Sequence, residues 1–133
     1  MKILIVDDLR EYNQFLSDIL LPFAHCDIAI NGADALGYVE TAMIEKKPYD
    51  VILLDIMMPK MDGQVALQAI RAMEHEYGMV GAKEAVIIMV TALDSPFAAM
   101  EAFFRGYCTD YLTKPITRQV LLDKLREYHL IFP

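Results

Sequence analysis

Apolar positions along the chain alternate between two periods. KILIV at 2–6 is a strand-like run. From about Arg10 to Leu21, the residues Tyr12, Phe15, Leu16, Ile19 and Leu20 recur at helical spacing, and Pro22 stops the run. CDIAI at 26–30 is strand-like again. Asn31, with Asp34 three residues on, predicts a capped helix running to about Lys46, with Ala35, Leu36, Val39, Ala42 and Met43 on one face. VILLD at 51–55 is a strand, and Asp62-Gly63 opens a helix carrying Val65, Leu67, Ile70 and Met73. AVIIMV at 85–90 is a strand. Ser95 and Pro96 read as an N-cap and first helical position, followed by Met100, Phe103 and Phe104. YCTDYL at 107–112 predicts the last strand, and Thr117 caps a helix with Leu121, Leu125 and Tyr128 on one face.

These are five βα units in series. Near-continuous apolar strands imply a sheet covered on both faces, so the fold expected is α/β, a doubly wound parallel sheet flanked by five helices. Right-handed crossovers place the loops after strands 1, 3, 4 and 5 at the carboxyl edge of such a sheet, where these folds bind ligands. No linker, repeat or low-complexity segment interrupts the pattern, so residues 1–133 are expected to form one domain with no second domain attached.

Composition narrows the function. The hydrophobic fraction of 56% suits a real core, and the charged fraction of 23% suits a globular protein. The longest apolar run, from Ala85 toward Leu93, is far short of a membrane span. MKILIVDD turns acidic too soon for a signal-peptide core, so a cytoplasmic, membrane-free protein is expected. A net charge of −7 argues against direct nucleic-acid binding and favours a cation or a basic protein surface. Cys26 and Cys108 read as free, buried thiols. The histidines are scattered and no CxxC or HExxH occurs, which argues against zinc.

The polar residues just past each strand give a sharper signal. Strand 1 ends in Asp7-Asp8, strand 3 in Asp55, strand 4 in Thr91-Ala92 and strand 5 in Lys114-Pro115. A parallel sheet puts all of these ends on one side. Singly, each has an ordinary reading: a solvated turn, a β-former, a surface lysine. Together, carboxylates in a semi-buried cleft would repel one another unless a cation sat between them. Oxygen ligands without sulfur or imidazole favour Mg²⁺. Thr91 and Lys114 then fit as donors to phosphoryl oxygens, and an aspartate is a competent nucleophile for phosphoryl transfer.

ILIVDD, LLDIMMPKMDG, IMVTA and DYLTKPI together closely resemble the receiver domain of bacterial two-component response regulators, over essentially the whole chain. The resemblance implies a flavodoxin-like sheet of order 2-1-3-4-5. It implies that Asp55 accepts a phosphoryl group from a sensor histidine kinase or histidine phosphotransfer protein. Asp8 would be a direct Mg²⁺ ligand, Asp7 would act through water, and Asp55 and the carbonyl of Met57 would complete the set. Thr91 and Lys114 would contact the phosphoryl group. Tyr111 falls at the aromatic switch position, and Ala92 is the small residue beside Thr91. Pro115 would follow a cis peptide bond. Phosphorylation would reshape the face built from helix 4, strand 5 and helix 5, for phosphorelay or for binding a downstream protein. The chain would act as a stand-alone, single-domain switch. It would not be a turnover enzyme, catalysing only its own phosphorylation and slow dephosphorylation.

The chain also departs from the family pattern. Asp55 to Thr91 spans 36 positions, longer than usual, with the excess read as a surface loop at 75–85. Gly106 sits one place early before strand 5. Met57 and Leu93 occupy the two positions that tune phosphoryl lifetime in the family, and neither can orient a water, so slow loss is expected. Leu122, off the expected core face, and one of Phe103 or Phe104 would form an exposed patch for a partner or a homodimer.

Three other classes compete. An aspartyl phosphatase would need an acid two residues after its nucleophile, where Met57 stands. A flavodoxin-like electron carrier would need a hydroxyl- and glycine-rich loop where VDDLREYN stands. A phosphate-independent receiver-like module would lack one of Asp8, Asp55, Thr91 and Lys114, and all are present.

Overall fold

The computed structural model describes residues 1–132. The strands are β1 (Lys2–Val6), β2 (His25–Ala29), β3 (Val51–Leu54), β4 (Val86–Thr91) and β5 (Asp110–Thr113). The helices are α1 (Arg10–Leu20), α2 (Gly32–Ile44), α3 (Gly63–Glu76), α4 (Pro96–Phe104) and α5 (Arg118–Glu127). All four strand pairings are parallel, in the order β2-β1-β3-β4-β5. The expected class and strand order hold.

Alternation along the strands sorts the core into two layers. Leu4, Val6, Ile52, Leu54, Ile87 and Met89 point to one face and meet Val39, Leu67 and Ile70 from α2 and α3. Ile3, Ile5, Val51, Leu53, Ile88 and Val90 point to the other and meet Leu16, Ile19, Leu121 and Leu125 from α1 and α5. Each fully buried branched side chain contributes about 1.5–3 kcal/mol. Apart from Lys2 at the start of β1 and Thr91 at the end of β4, the inner strands are apolar, because both faces are covered.

The expected caps form. The side chains of Asn31, Asp62, Ser95 and Thr117 accept from the N–H groups of Asp34, Val65, Ala98 and Val120, satisfying orphan donors of the first turn. The helices' faces differ more from expectation. Leu122 is 4% exposed and packs with Leu121 in the core, because α5 buries two adjacent positions. Val65 is exposed, and the buried face of α3 holds Gln64, Ala66 and Glu74 as well as Leu67 and Ile70. On α4 only Ala102 is buried; Phe97, Met100, Phe103 and Phe104 are all exposed.

Residues 107–109 do not belong to β5 as expected. Tyr107 adopts φ 59, a left-handed turn conformation, and the strand begins at Asp110. Gly106 packs instead against Leu67, where an added Cβ would lie 2.2 Å from a methyl carbon. The long 75–85 stretch is only partly a loop: α3 continues to Glu76, and a 3-10 turn covers Gly81–Lys83. A buried pair anchors it, with Arg71 Nη1 2.7 Å from Glu74 Oε1. Glu74 also accepts from the Ala85 N–H, and Arg71 donates to the carbonyls of Tyr107 and Ala85. Neither cysteine is in a disulfide; Cys108 is buried and Cys26 only half-buried.

Candidate functional site

The carboxyl edge of the sheet gathers the strand-end residues. Carboxylate oxygens of Asp7, Asp8 and Asp55 lie within 4.8 Å of one another. Asp7 and Asp55 are buried and Asp8 is exposed. Lys114 Nζ stands 2.6 Å from Asp7 Oδ2 and 3.3 Å from Asp55 Oδ2. Three carboxylates against one ammonium leave surplus negative charge in a shielded place. Burial pushes the Asp7 carboxyl above its ordinary pKa, with the charge of Asp55 adding to it. Burial alone would lower the pKa of Lys114, but hydrogen bonding and attraction from Asp7 and Asp55 outweigh it and hold it up.

Local structure explains how each group is held. The apolar β3 delivers Asp55 rigidly, and the Asp55 N–H donates to the Val6 carbonyl. The Met57 N–H donates to Asp55 Oδ1 at 3.3 Å. The loop then closes tightly onto α3: the Gly63 N–H donates to the Ile56 carbonyl at 2.8 Å. A Cβ on Gly63 would lie 2.0 Å from the Asp55 carbonyl oxygen, so only glycine fits there. Lys114 is reached through β5, with its N–H donating to the Thr91 carbonyl at 2.7 Å. The Lys114–Pro115 peptide is cis.

Thr91 is fully buried at the end of β4, and its Oγ1 accepts from the Leu93 N–H at 3.2 Å. Tyr111 is half-buried, and its hydroxyl donates to the Leu93 carbonyl at 2.6 Å. Burial, then the charges of Asp94 and Asp55, hold the Tyr111 hydroxyl above its ordinary pKa. Leu93 packs against the core, whereas the Met57 side chain is 57% exposed. Ala92 is exposed beside Thr91.

Two further residues, Tyr12 and Asn13, enter the site, and a third, Gln64, ties α3 to α4. The ring of Tyr12 lies 4.2 Å from Lys114 Nζ, a cation–π contact, and its hydroxyl accepts from the Ile116 N–H. Asn13 is buried and donates to the Asp7 carbonyl. Gln64 is buried and donates across to the Ala98 carbonyl in α4 at 2.8 Å. Tyr12 reads as core from its helical spacing alone. Asn13 and Gln64 are polar residues on helices, and only their burial reveals a role.

The acidic donor set fits Mg²⁺. Its ligands are hard oxygens, with no cysteine or histidine in the cluster. Asp7 already has both oxygens engaged, Oδ1 by the Leu9 N–H and Oδ2 by Lys114. The exposed Asp8 accepts no hydrogen bond from its side chain's described neighbours and keeps both oxygens for a ligand.

Comparison with known proteins agrees with this geometry. The family model for the response regulator receiver domain matches residues 3–126. The transcriptional regulatory protein DltR of Streptococcus agalactiae is 32% identical over 95% of this chain and 50% of its own length. The chain thus spans about half the length of the first curated relatives it matches. Among solved structures, the chemotaxis protein CheY4 of Vibrio cholerae superposes with a TM-score of 0.80 at 31% identity, covering 95% of this chain and 96% of that one. A CheX–CheY–BeF3–Mg²⁺ complex from Borrelia burgdorferi also gives 0.80, at 26% identity, covering 97% and 89%. Among the described residues, no helix is long and apolar enough to cross a membrane. The family model, the relatives and the acidic edge converge, and the chain belongs to the response regulator receiver domains of two-component signalling systems.

Proposed function

We propose that residues 1–133 form one receiver domain in which Asp55 is the phosphoacceptor. The observation that carries this is the Lys114 ammonium held between Asp7 and Asp55, with Asp8 alongside. A carboxylate oxygen of Asp55 attacks the phosphorus of a phosphohistidine on a kinase or phosphotransfer protein. An O–P bond forms, the N–P bond breaks and the imidazole leaves. Asp8, Asp55 and the Met57 carbonyl would hold Mg²⁺ directly, and Asp7 through water, as its engaged oxygens favour. Held by these residues, Mg²⁺ would supply positive charge to offset that of the phosphoryl oxygens. Lys114 and Thr91 take the remaining phosphoryl oxygens, at the cost of the Lys114 contact to Asp55 and the Thr91 bond to Leu93.

In this reading the domain turns over no external substrate beyond its own phosphorylation and slow dephosphorylation. It works in the cytosol. The switch runs through Thr91, Leu93 and Tyr111 to the face of α4, β5 and α5. A downstream protein or a second copy would meet the exposed Phe97, Met100, Phe103 and Phe104 there, without the buried Leu122.

The test is a small-molecule phosphodonor with and without Mg²⁺, read by mass spectrometry. Wild type gains one phosphoryl group only with Mg²⁺, and Asp55→Ala gains none. An unmodified wild-type chain would sink the reading.

A further inference from the structure

Asn13 sits on the second turn of α1 but is only 2% exposed. A buried amide is costly unless its groups are paired. Its Nδ2 donates to the Asp7 carbonyl at 2.8 Å, inside the protein. That carbonyl belongs to the peptide leading into Asp8. The exposed Asp8 carboxylate has no protein hydrogen bond of its own among those described, so the fold holds Asp8 through its backbone, beginning at that peptide. The carbonyl requires a donor, which fixes the amide orientation and turns Oδ1 away. Oδ1 is buried and has no partner among the described residues. Asn13 and Asp8 line one cavity of about 720 Å³ together with Asn31 and Lys60.

We propose that Asn13 is a positioning residue for the metal site: by holding the Asp7 carbonyl it fixes the Asp7–Asp8 peptide, and with it the backbone that carries Asp8 to the ion. This rests on Asp7, Asp8 and Asp55 being the metal site. Partners of metal ligands are worth about 10- to 100-fold in metal affinity.

The test is Mg²⁺ binding by calorimetry on the full chain, with folding checked by circular dichroism. Asn13→Leu keeps the size and removes both polar atoms; Asn13→Ala, measured beside it, does the same with less bulk. Either folded variant raises the Mg²⁺ dissociation constant roughly 10-fold. The Mg²⁺ concentration for half-maximal phosphorylation of Asp55 rises in step, and the rate at saturating Mg²⁺ stays at the wild-type level. An unchanged dissociation constant in a folded variant overturns the proposal, as does a lower maximal rate with unchanged affinity. A wild-type chain that binds no Mg²⁺ removes the metal site itself, which separates that failure from a failure of Asn13 alone.

Discussion

The Tyr111 hydroxyl donates a 2.6 Å hydrogen bond to the carbonyl of Leu93, tying β5 to the loop after β4. The N–H of Leu93 in turn donates to Thr91 Oγ1. One residue therefore links the two side chains read as the switch. A Thr91 hydroxyl drawn to a phosphoryl group would release Leu93, and the Tyr111 bond would be rebuilt. That gives two arrangements with different contacts, which is what a population shift needs.

Tyr111→Phe removes only this hydroxyl. The observed arrangement should lose about 1 kcal/mol, the usual worth of such a bond. Urea unfolding should show a lower midpoint with an unchanged slope. The loss should shrink in Thr91→Ala, because the two bonds meet at Leu93 and non-additivity marks coupled groups.

Gly63→Ala tests how closely α3 approaches the phosphoacceptor strand. The new Cβ would have to push the Asp55 carbonyl aside from 2.0 Å. Overpacking against backbone should cost about 3 kcal/mol. Because the displaced atom belongs to Asp55, phosphorylation by a small donor should slow as well. A variant with wild-type stability and rate would show that the loop yields freely.

Asp110 links stability to pH. Burial pushes its pKa up, but hydrogen bonds from Lys124, the Tyr128 hydroxyl and the Tyr111 N–H outweigh that and hold it below the ordinary value. Lys124 Nζ is 2.9 Å and the Tyr128 hydroxyl 2.8 Å from Asp110 Oδ2. A depressed folded pKa favours the charged form in the fold. The stabilisation is complete above the unfolded value of about 3.9 and fades as pH falls through the lower folded value. Asp110→Asn should reduce stability at neutral pH by about 1 kcal/mol. Its stability should then fall less steeply than wild type between about pH 4 and pH 2. Parallel acid-denaturation curves would refute the linkage.

The sheet and the acidic edge were readable because their signals are local. Val51–Leu54 reads as a doubly covered strand, and a parallel sheet must bring Asp7, Asp55 and Lys114 to one side. The caps were readable for the same reason: Asn31, Asp62, Ser95 and Thr117 each act within three residues. What was not readable depends on tertiary choices. Leu122 is buried because β1, β3 and β4 leave room for a wide stripe on α5. The aromatic residues of α4 are exposed because the helix touches the core mainly through Ala102. Glu74, Gln64 and Asn13 look like surface residues until their partners across the fold are known.

Met57 is the residue to test for signal lifetime. It stands two positions after Asp55, and its side chain is 57% exposed rather than packed into the core. Its N–H donates to Asp55 Oδ1, so the backbone is held beside the phosphoacceptor while the side chain stays exposed. Leu93 differs: it packs on the core and its backbone serves Thr91 and Tyr111. Changing Leu93 would therefore disturb the switch as well as water access. Met57→Asn replaces an apolar side chain by one that can hold and orient a water, with no core contact to lose. Phosphoryl loss from Asp55 in Mg²⁺ should become at least several-fold faster, while the unfolding free energy changes by less than about 0.5 kcal/mol, as for ordinary surface substitutions. The measurement is the decay of phosphorylated protein after removal of the donor. Equal decay of wild type and variant would mean that the exposed thioether does not govern water access.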